Sequence, residues 1–197
     1  MHNYKNHRTF AVVMNKINYL RILGFTVLYV VTVFATAFLG YLSPYAWVFF
    51  PVVAALVGAF SYYLMAVKWQ KFGVGSLLAI VLAAFLWAVD ECDLPNALLI
   101  VLAGVVSDVV RQMVGYTTLN GMSMAYPVQS IGVIAWILPL WTRTEWYYNG
   151  AAEELGVDYA KGLMTFSSIW GLLFVVLTTA IAGFVGIQFA AKIIRPK

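Results

Sequence analysis

Charge is scarce in this chain: Asp, Glu, Lys and Arg together make up 10% of its 197 residues, against 63% hydrophobic residues and a mean hydropathy of +0.86. Such a composition excludes a water-soluble enzyme. A single cysteine, Cys92, permits no internal disulfide, and the two histidines, His2 and His7, both lie in the N-terminal tail, which excludes a histidine-based site within the membrane. The chain has no HExxH, no Walker A lysine motif, no CxxC and no membrane histidine to pair with a serine, so neither an intramembrane protease nor an ATPase is expected. Regular intramembrane carboxylates for ion coupling are also missing. No catalytic residue, cofactor or metal ion is expected, and any uphill transport would draw its energy from ion coupling or from another subunit.

What is present is apolar length. Each helical crossing takes about 20 mostly apolar residues, and six stretches qualify, at residues 22–42, 46–67, 73–89, 95–110, 122–141 and 163–191. The expectation is an all-α integral membrane six-helix bundle, one transmembrane domain over residues 1–197, localised as a multi-pass protein of the cell membrane. The third and fourth stretches are short for a full crossing. Residues 1–21 form a basic tail in which a disordered leader and a short interfacial helix over residues 6–19 are both open. No signal peptide is expected, because the basic residues are spread out and no small-residue cleavage site follows a short apolar core.

The charges sort by loop. With six spans, ten of the twelve Lys and Arg fall on one side and only Arg143 and Lys161 on the other, whereas every acidic residue except Asp108 falls with that second group. Positive residues mark the cytoplasmic face, so both termini are predicted to be cytoplasmic.

The acidic, outer side carries the chemical detail. Asp90, Glu91, Cys92 and Asp93 form a turn that a divalent cation could use, or simply a solvated turn with Asp93 at a helix N-terminus and Pro95 in the first turn. The three carboxylates are expected to raise the Cys92 pKa. Trp141, Arg143, Glu145, Trp146, Tyr147 and Tyr148 supply rings with one cation and one anion, suited either to enclosing a small molecule or to an interfacial aromatic belt. At the inner end of the fourth span, Asp108 and Arg111 are spaced i, i+3 and predict an internal ion pair, with a proton relay or a partner contact as alternatives. Small residues in the first span, Gly24, Ala35, Thr36, Ala37 and Gly40, imply close helix contact, either internal or with a partner, and Ala180, Ala182, Gly183 and Gly186 repeat the pattern in the sixth.

In order along the chain come Gly24-Phe25-Thr26, Phe38-Leu39-Gly40-Tyr41-Leu42-Ser43-Pro44, Val67-Lys68-Trp69-Gln70-Lys71-Phe72-Gly73, Gly115-Tyr116 with Asn120, Ala125-Tyr126, Leu138-Pro139-Leu140-Trp141 and Gly183-Phe184-Val185-Gly186. Their order across nearly the whole chain resembles the Trep_Strep family, whose members resemble or serve as substrate-binding S components of energy-coupling factor (ECF) transporters. The resemblance implies six helices with cytoplasmic termini, a micronutrient captured at the outer face, and three protein partners: a transmembrane coupling protein and two cytoplasmic ATPases. It also implies an Ala-xxx-Ala type surface on the first helix for the coupling protein. Here Leu28 and Leu39 follow Gly24 and Ala35 at the fourth position, so Gly24, Ala35, Thr36, Ala37 and Gly40 stand as the substitute docking residues. Where family members often carry a Gly-His-Gly-like turn, this chain has Asp90-Glu91-Cys92.

The reading that follows is an S component whose outward site is lined by Trp47, Asp90, Asn96, Trp136, Arg143, Glu145 and Trp146, with residues 40–45 and 142–162 as lids. A vitamin, a cofactor precursor or a porphyrin-like compound would suit such walls. A self-contained ion-coupled transporter and a ligand-free membrane scaffold are the rival expectations.

Overall fold

In the computed structural model, backbone is described for residues 4–194 and side chains for residues 19–194; the side chains of residues 1–18, which carry nearly all of the expected interfacial helix face, lie outside the described residues. Every regular element among them is helical. Helix α1 (Tyr4–Ala37) continues into a 3₁₀ turn (Phe38–Leu42) and is followed by α2 (Pro44–Lys68), α3 (Val74–Ala88), α4 (Leu94–Val114), α5 (Leu119–Ile131), α6 (Ile134–Ile137), α7 (Pro139–Thr142), α8 (Thr144–Leu155), α9 (Val157–Met164) and α10 (Ile169–Ile193).

Four helical segments are long and apolar enough to cross a membrane: Tyr19–Leu42, Pro44–Lys68, Leu94–Val114 and Ile169–Ile193. The expected third span is a 15-residue helix, about 22 Å long at 1.5 Å per residue and short of a bilayer's hydrocarbon core. The expected fifth span, 122–141, is not one helix. Pro139 has no N–H to give, and around Gly132 the backbone shortens its bonds to the i→i+3 kind (Gly132 to Gln129, Val133 to Ser130, Ala135 to Gly132). The chain therefore passes through α5, α6 and α7 in tighter, longer-rising turns.

Two further boundaries differ from the sequence reading. The fourth span continues past Val110 to Val114, through both Asp108 and Arg111. The sixth begins at Ile169, where Ser168 caps the helix by accepting the Gly171 N–H at 3.2 Å, so that residues 163–167 belong to α9 and its exit turn.

The ion pair expected between Asp108 and Arg111 does not form; each is fully buried and serves a different helix end. Asp108 accepts the Gly75 and Ser76 N–H groups at 2.9 and 2.8 Å and the Ser76 hydroxyl at 2.7 Å, capping the free donors that open α3. Arg111 donates to the carbonyls of Ala66 (2.6 Å), Tyr116 (2.8 Å) and Trp69 (3.3 Å), closing the end of α2 and the turn after α4. Helix geometry permits the i, i+3 contact, but orphan backbone groups nearby offer charge-assisted bonds to both side chains, and those win.

At the helix-packing level, α10 lies against α2 and α5, α3 against α4, and α1 against α2. The small residues of α10 serve these internal contacts: a Cβ on Gly186 would fall 2.7 Å from the Ala59 Cβ, so the α2–α10 approach requires glycine there. In α1 the small residues divide. Gly24 and Ala35 are exposed and Thr36 is half-buried with its hydroxyl bonded to the Val33 carbonyl, but Ala37 and Gly40 turn inward, away from any outer docking face. The Gly40 carbonyl accepts the Tyr159 hydroxyl at 2.7 Å, and a Cβ on Gly40 would come 2.4 Å from the Trp47 ring.

Candidate functional site

At the end of the bundle that holds the α1–α2, α3–α4 and α8–α9 connections, a cavity of about 880 Å³ opens beneath α8 and α9. That volume is within the usual range for small-molecule sites. Its floor is aromatic. Trp136 on α6 stacks on Phe34 of α1 (6.0 Å between centroids, planes 1° apart) and meets Phe50 and Trp47 of α2 edge-on at 5.1 and 5.9 Å. Ser43 caps α2 through the Ala46 N–H (3.1 Å) and so fixes Trp47 in the first turn of that helix.

The α3–α4 turn forms one wall. Helix α3 ends with the Asp90 N–H bonded to Trp87 O and the Glu91 N–H to Leu86 O, a Schellman arrangement that puts Asp90 at φ +62°. Glycine is the residue such a position favours, and an aspartate there costs about 1 kcal/mol. Asp90→Gly is accordingly expected to raise thermal stability by about 1 kcal/mol while removing a carboxylate from the cavity wall. A melting curve of the purified variant, beside one of wild type, checks the first half; no gain in stability would contradict it.

Asp93 caps α4 by accepting the Asn96 N–H at 3.1 Å, and its second oxygen receives Arg143 from the α7–α8 junction. Arg143 also lies over the Trp146 ring, 4.8 Å from its centroid. At about two-fifths exposure on each side, this pair contributes at most about 1 kcal/mol of stability and reads as a light clasp between two walls. Among the described residues no three of His, Cys, Asp and Glu converge as metal ligands. Cys92 is buried, and burial first, then Asp93, pushes its thiol up to about 11; desolvation outweighs the carboxylates that the sequence suggested as the cause.

The roof is the segment expected as a loop over residues 142–162. It is two helices, α8 and α9, joined at Gly156 with φ +95°. On α8, Tyr147, Gly150, Ala151, Glu154 and Leu155 recur at helical spacing on the cavity side. The Trp47 indole N–H donates to the Tyr147 hydroxyl and ties roof to floor. Burial lifts the Tyr147 phenol above its ordinary range and the Tyr159 phenol to about 12, so both remain neutral donors.

Of the seven residues expected at a ligand site, Trp47, Asp90, Asn96, Trp136, Arg143 and Trp146 line this one cavity. Glu145 does not. It is exposed, and two residues before Tyr147 it points about 200° away around the helix. The seven omit Glu153, Glu154 and Tyr159, Phe34 and Phe38 from α1, and Tyr147, which the sequence singles out only within the aromatic set at residues 141–148. The i, i+3, i+4, i+7 pattern of residues 147–154 was the signal that could have found the roof face.

These features define a class: an all-α integral membrane protein with a roofed, aromatic-floored cavity at one end of its bundle. A family described as hypothetical bacterial integral membrane protein (Trep_Strep) matches residues 18–196, and the chain belongs to that family. It is a multi-pass membrane protein. No curated protein and no solved structure matches it.

Proposed function

We propose that this protein is the substrate-binding S component of an ECF-type importer, a non-enzymatic subunit that captures a small micronutrient at the outer face for ATP-driven uptake. The observation that carries this reading is the roofed cavity, with its aromatic floor and a few polar groups, built at the acidic end of the bundle. In this reading α3 and the α5–α7 segment join the four long helices to make six crossings. Lys68, Lys71, Arg111 and Lys192 then lie at the cytoplasmic side with both termini, and the cavity faces out. Gly24 and Ala35, exposed on α1, belong to the face offered to the coupling protein, and Asp93–Arg143 is the clasp that parts when the roof admits substrate.

Affinity purification of the chain at native level from its own membrane, followed by mass spectrometry of the bound proteins, tests the assembly. The expected result is a membrane coupling protein with two ATPases. Recovery of the chain alone, together with uptake in ATP-free liposomes, would establish the self-contained carrier instead.

A further inference from the structure

The character of the lining narrows the ligand. This step rests on the cavity being the substrate site. Five carboxylates line it, Asp90, Glu91 and Asp93 from the α3–α4 turn and Glu153 and Glu154 from α8, against one guanidinium, Arg143. That guanidinium is already engaged by Asp93 and stacked on Trp146. The surplus is therefore negative, and low-dielectric walls concentrate its field within the cleft. The carboxylates are spread around the rim without converging on a point, as a metal ion would require. The electron-rich faces of Trp47, Trp136 and Tyr147 add attraction for positive charge of the same diffuse kind.

Two buried polar groups supply an independent sign of a ligand. Asn96 is 8% exposed and Trp136 5% exposed, both line the cavity, and neither the Asn96 carboxamide nor the Trp136 indole N–H has a hydrogen-bond partner among the described residues. Both polar groups open onto the cavity and are free to bond whatever enters it. The Tyr147 hydroxyl, which accepts from Trp47, has its own proton left to donate.

We propose that the cavity takes a small organic cation: a flat aromatic or heteroaromatic body carrying a protonated or quaternary nitrogen, with a polar group for Asn96 and the Trp136 N–H. The positive nitrogen sits between the ring faces and the Glu153–Glu154 side, and the flat body lies on the Phe34–Trp136 floor. An anionic porphyrin-type dicarboxylate meets a lining of its own sign and is disfavoured.

Three probes of one shape separate the charges: phenethylammonium, 2-phenylethanol and 3-phenylpropionate, titrated calorimetrically into the full chain in nanodiscs, with empty nanodiscs as blanks. Phenethylammonium is expected to bind at least about fivefold tighter than the alcohol, and the carboxylate not to saturate. Glu153→Gln with Glu154→Gln, both exposed positions, is expected to weaken the ammonium probe about fivefold and leave the alcohol unchanged, and added salt should weaken the ammonium alone. Equal or tighter binding of the carboxylate, or an ammonium affinity indifferent to the double substitution, would overturn the cation while leaving the cavity a ligand site. Saturation by none of the three also overturns it; the reading beneath then stands or falls on whether a compound is recovered from the protein in its native membrane.

Discussion

Replacing Arg111 with alanine is expected to lower the stability of the folded bundle by roughly 4 kcal/mol. The guanidinium is fully buried and donates to three carbonyls, those of Ala66, Trp69 and Tyr116. Alanine leaves all three without a donor and opens a void where the side chain ran. In a bilayer no water replaces the lost bonds at low cost. For a chain of this length the loss corresponds to a fall in melting temperature of about 10 °C, read from thermal unfolding in nanodiscs. Arg111→Lys keeps the charge but has no planar fork to reach carbonyls on two separate segments, so it is expected to recover less than half of the loss. An alanine variant that melts with wild type would contradict the assigned role.

Gly150→Trp is expected to close the cavity, weakening ligand binding by at least about tenfold, while leaving the fold intact. Gly150 lies on the cavity side of α8, and a Cβ built there meets nothing within 4 Å. A side chain at that position starts in open space on the cavity side of α8, and an indole there adds bulk at the cavity. The substitution also removes a helix-interior glycine, which favours α8 by a few tenths of a kcal/mol. Stability and binding thus move in opposite directions, a combination that misfolding cannot produce. Uptake by cells carrying the variant at wild-type abundance is the readout, and undiminished uptake would show that substrate does not occupy the space beneath α8.

Hydropathy reports helices that must be apolar, and it located the four long segments well. It failed where polar groups are satisfied inside the bundle. Arg111 reads as the end of a span because two of its three partners, Ala66 and Trp69, lie at the end of α2, 45 and 42 residues earlier in the chain, and Asp108 reads as its mate because the α3 N-terminus it caps is 33 residues away. Neither partner is visible in a local pattern. The break of 122–141 into three helices follows from bond-by-bond choices around Gly132 and Pro139 that an apolar average does not record.

The site was more legible at its floor and turn than at its roof. Trp47, Asp90, Asn96 and Trp136 are conspicuous because aromatic and polar residues at the ends of apolar stretches have few structural duties. Glu145 is the anion nearest Arg143 in sequence, whereas helical spacing from Tyr147 brings Glu154 to the cavity side, and Glu153 lines the cavity beside it. A segment rich in polar and aromatic residues reads as a loop by composition, and only its 3.6-residue period reveals α8.

If the cavity beneath α8 is a substrate site, it holds a small molecule in the native membrane. The most direct measurement is to purify the protein gently from its native membrane, denature it, and quantify by mass spectrometry the compounds released from wild type and from Gly150→Trp. One organic compound is expected at close to one per wild-type chain and is expected to be lost from the variant. Release of the same compounds from both proteins, or of none from wild type, would contradict it.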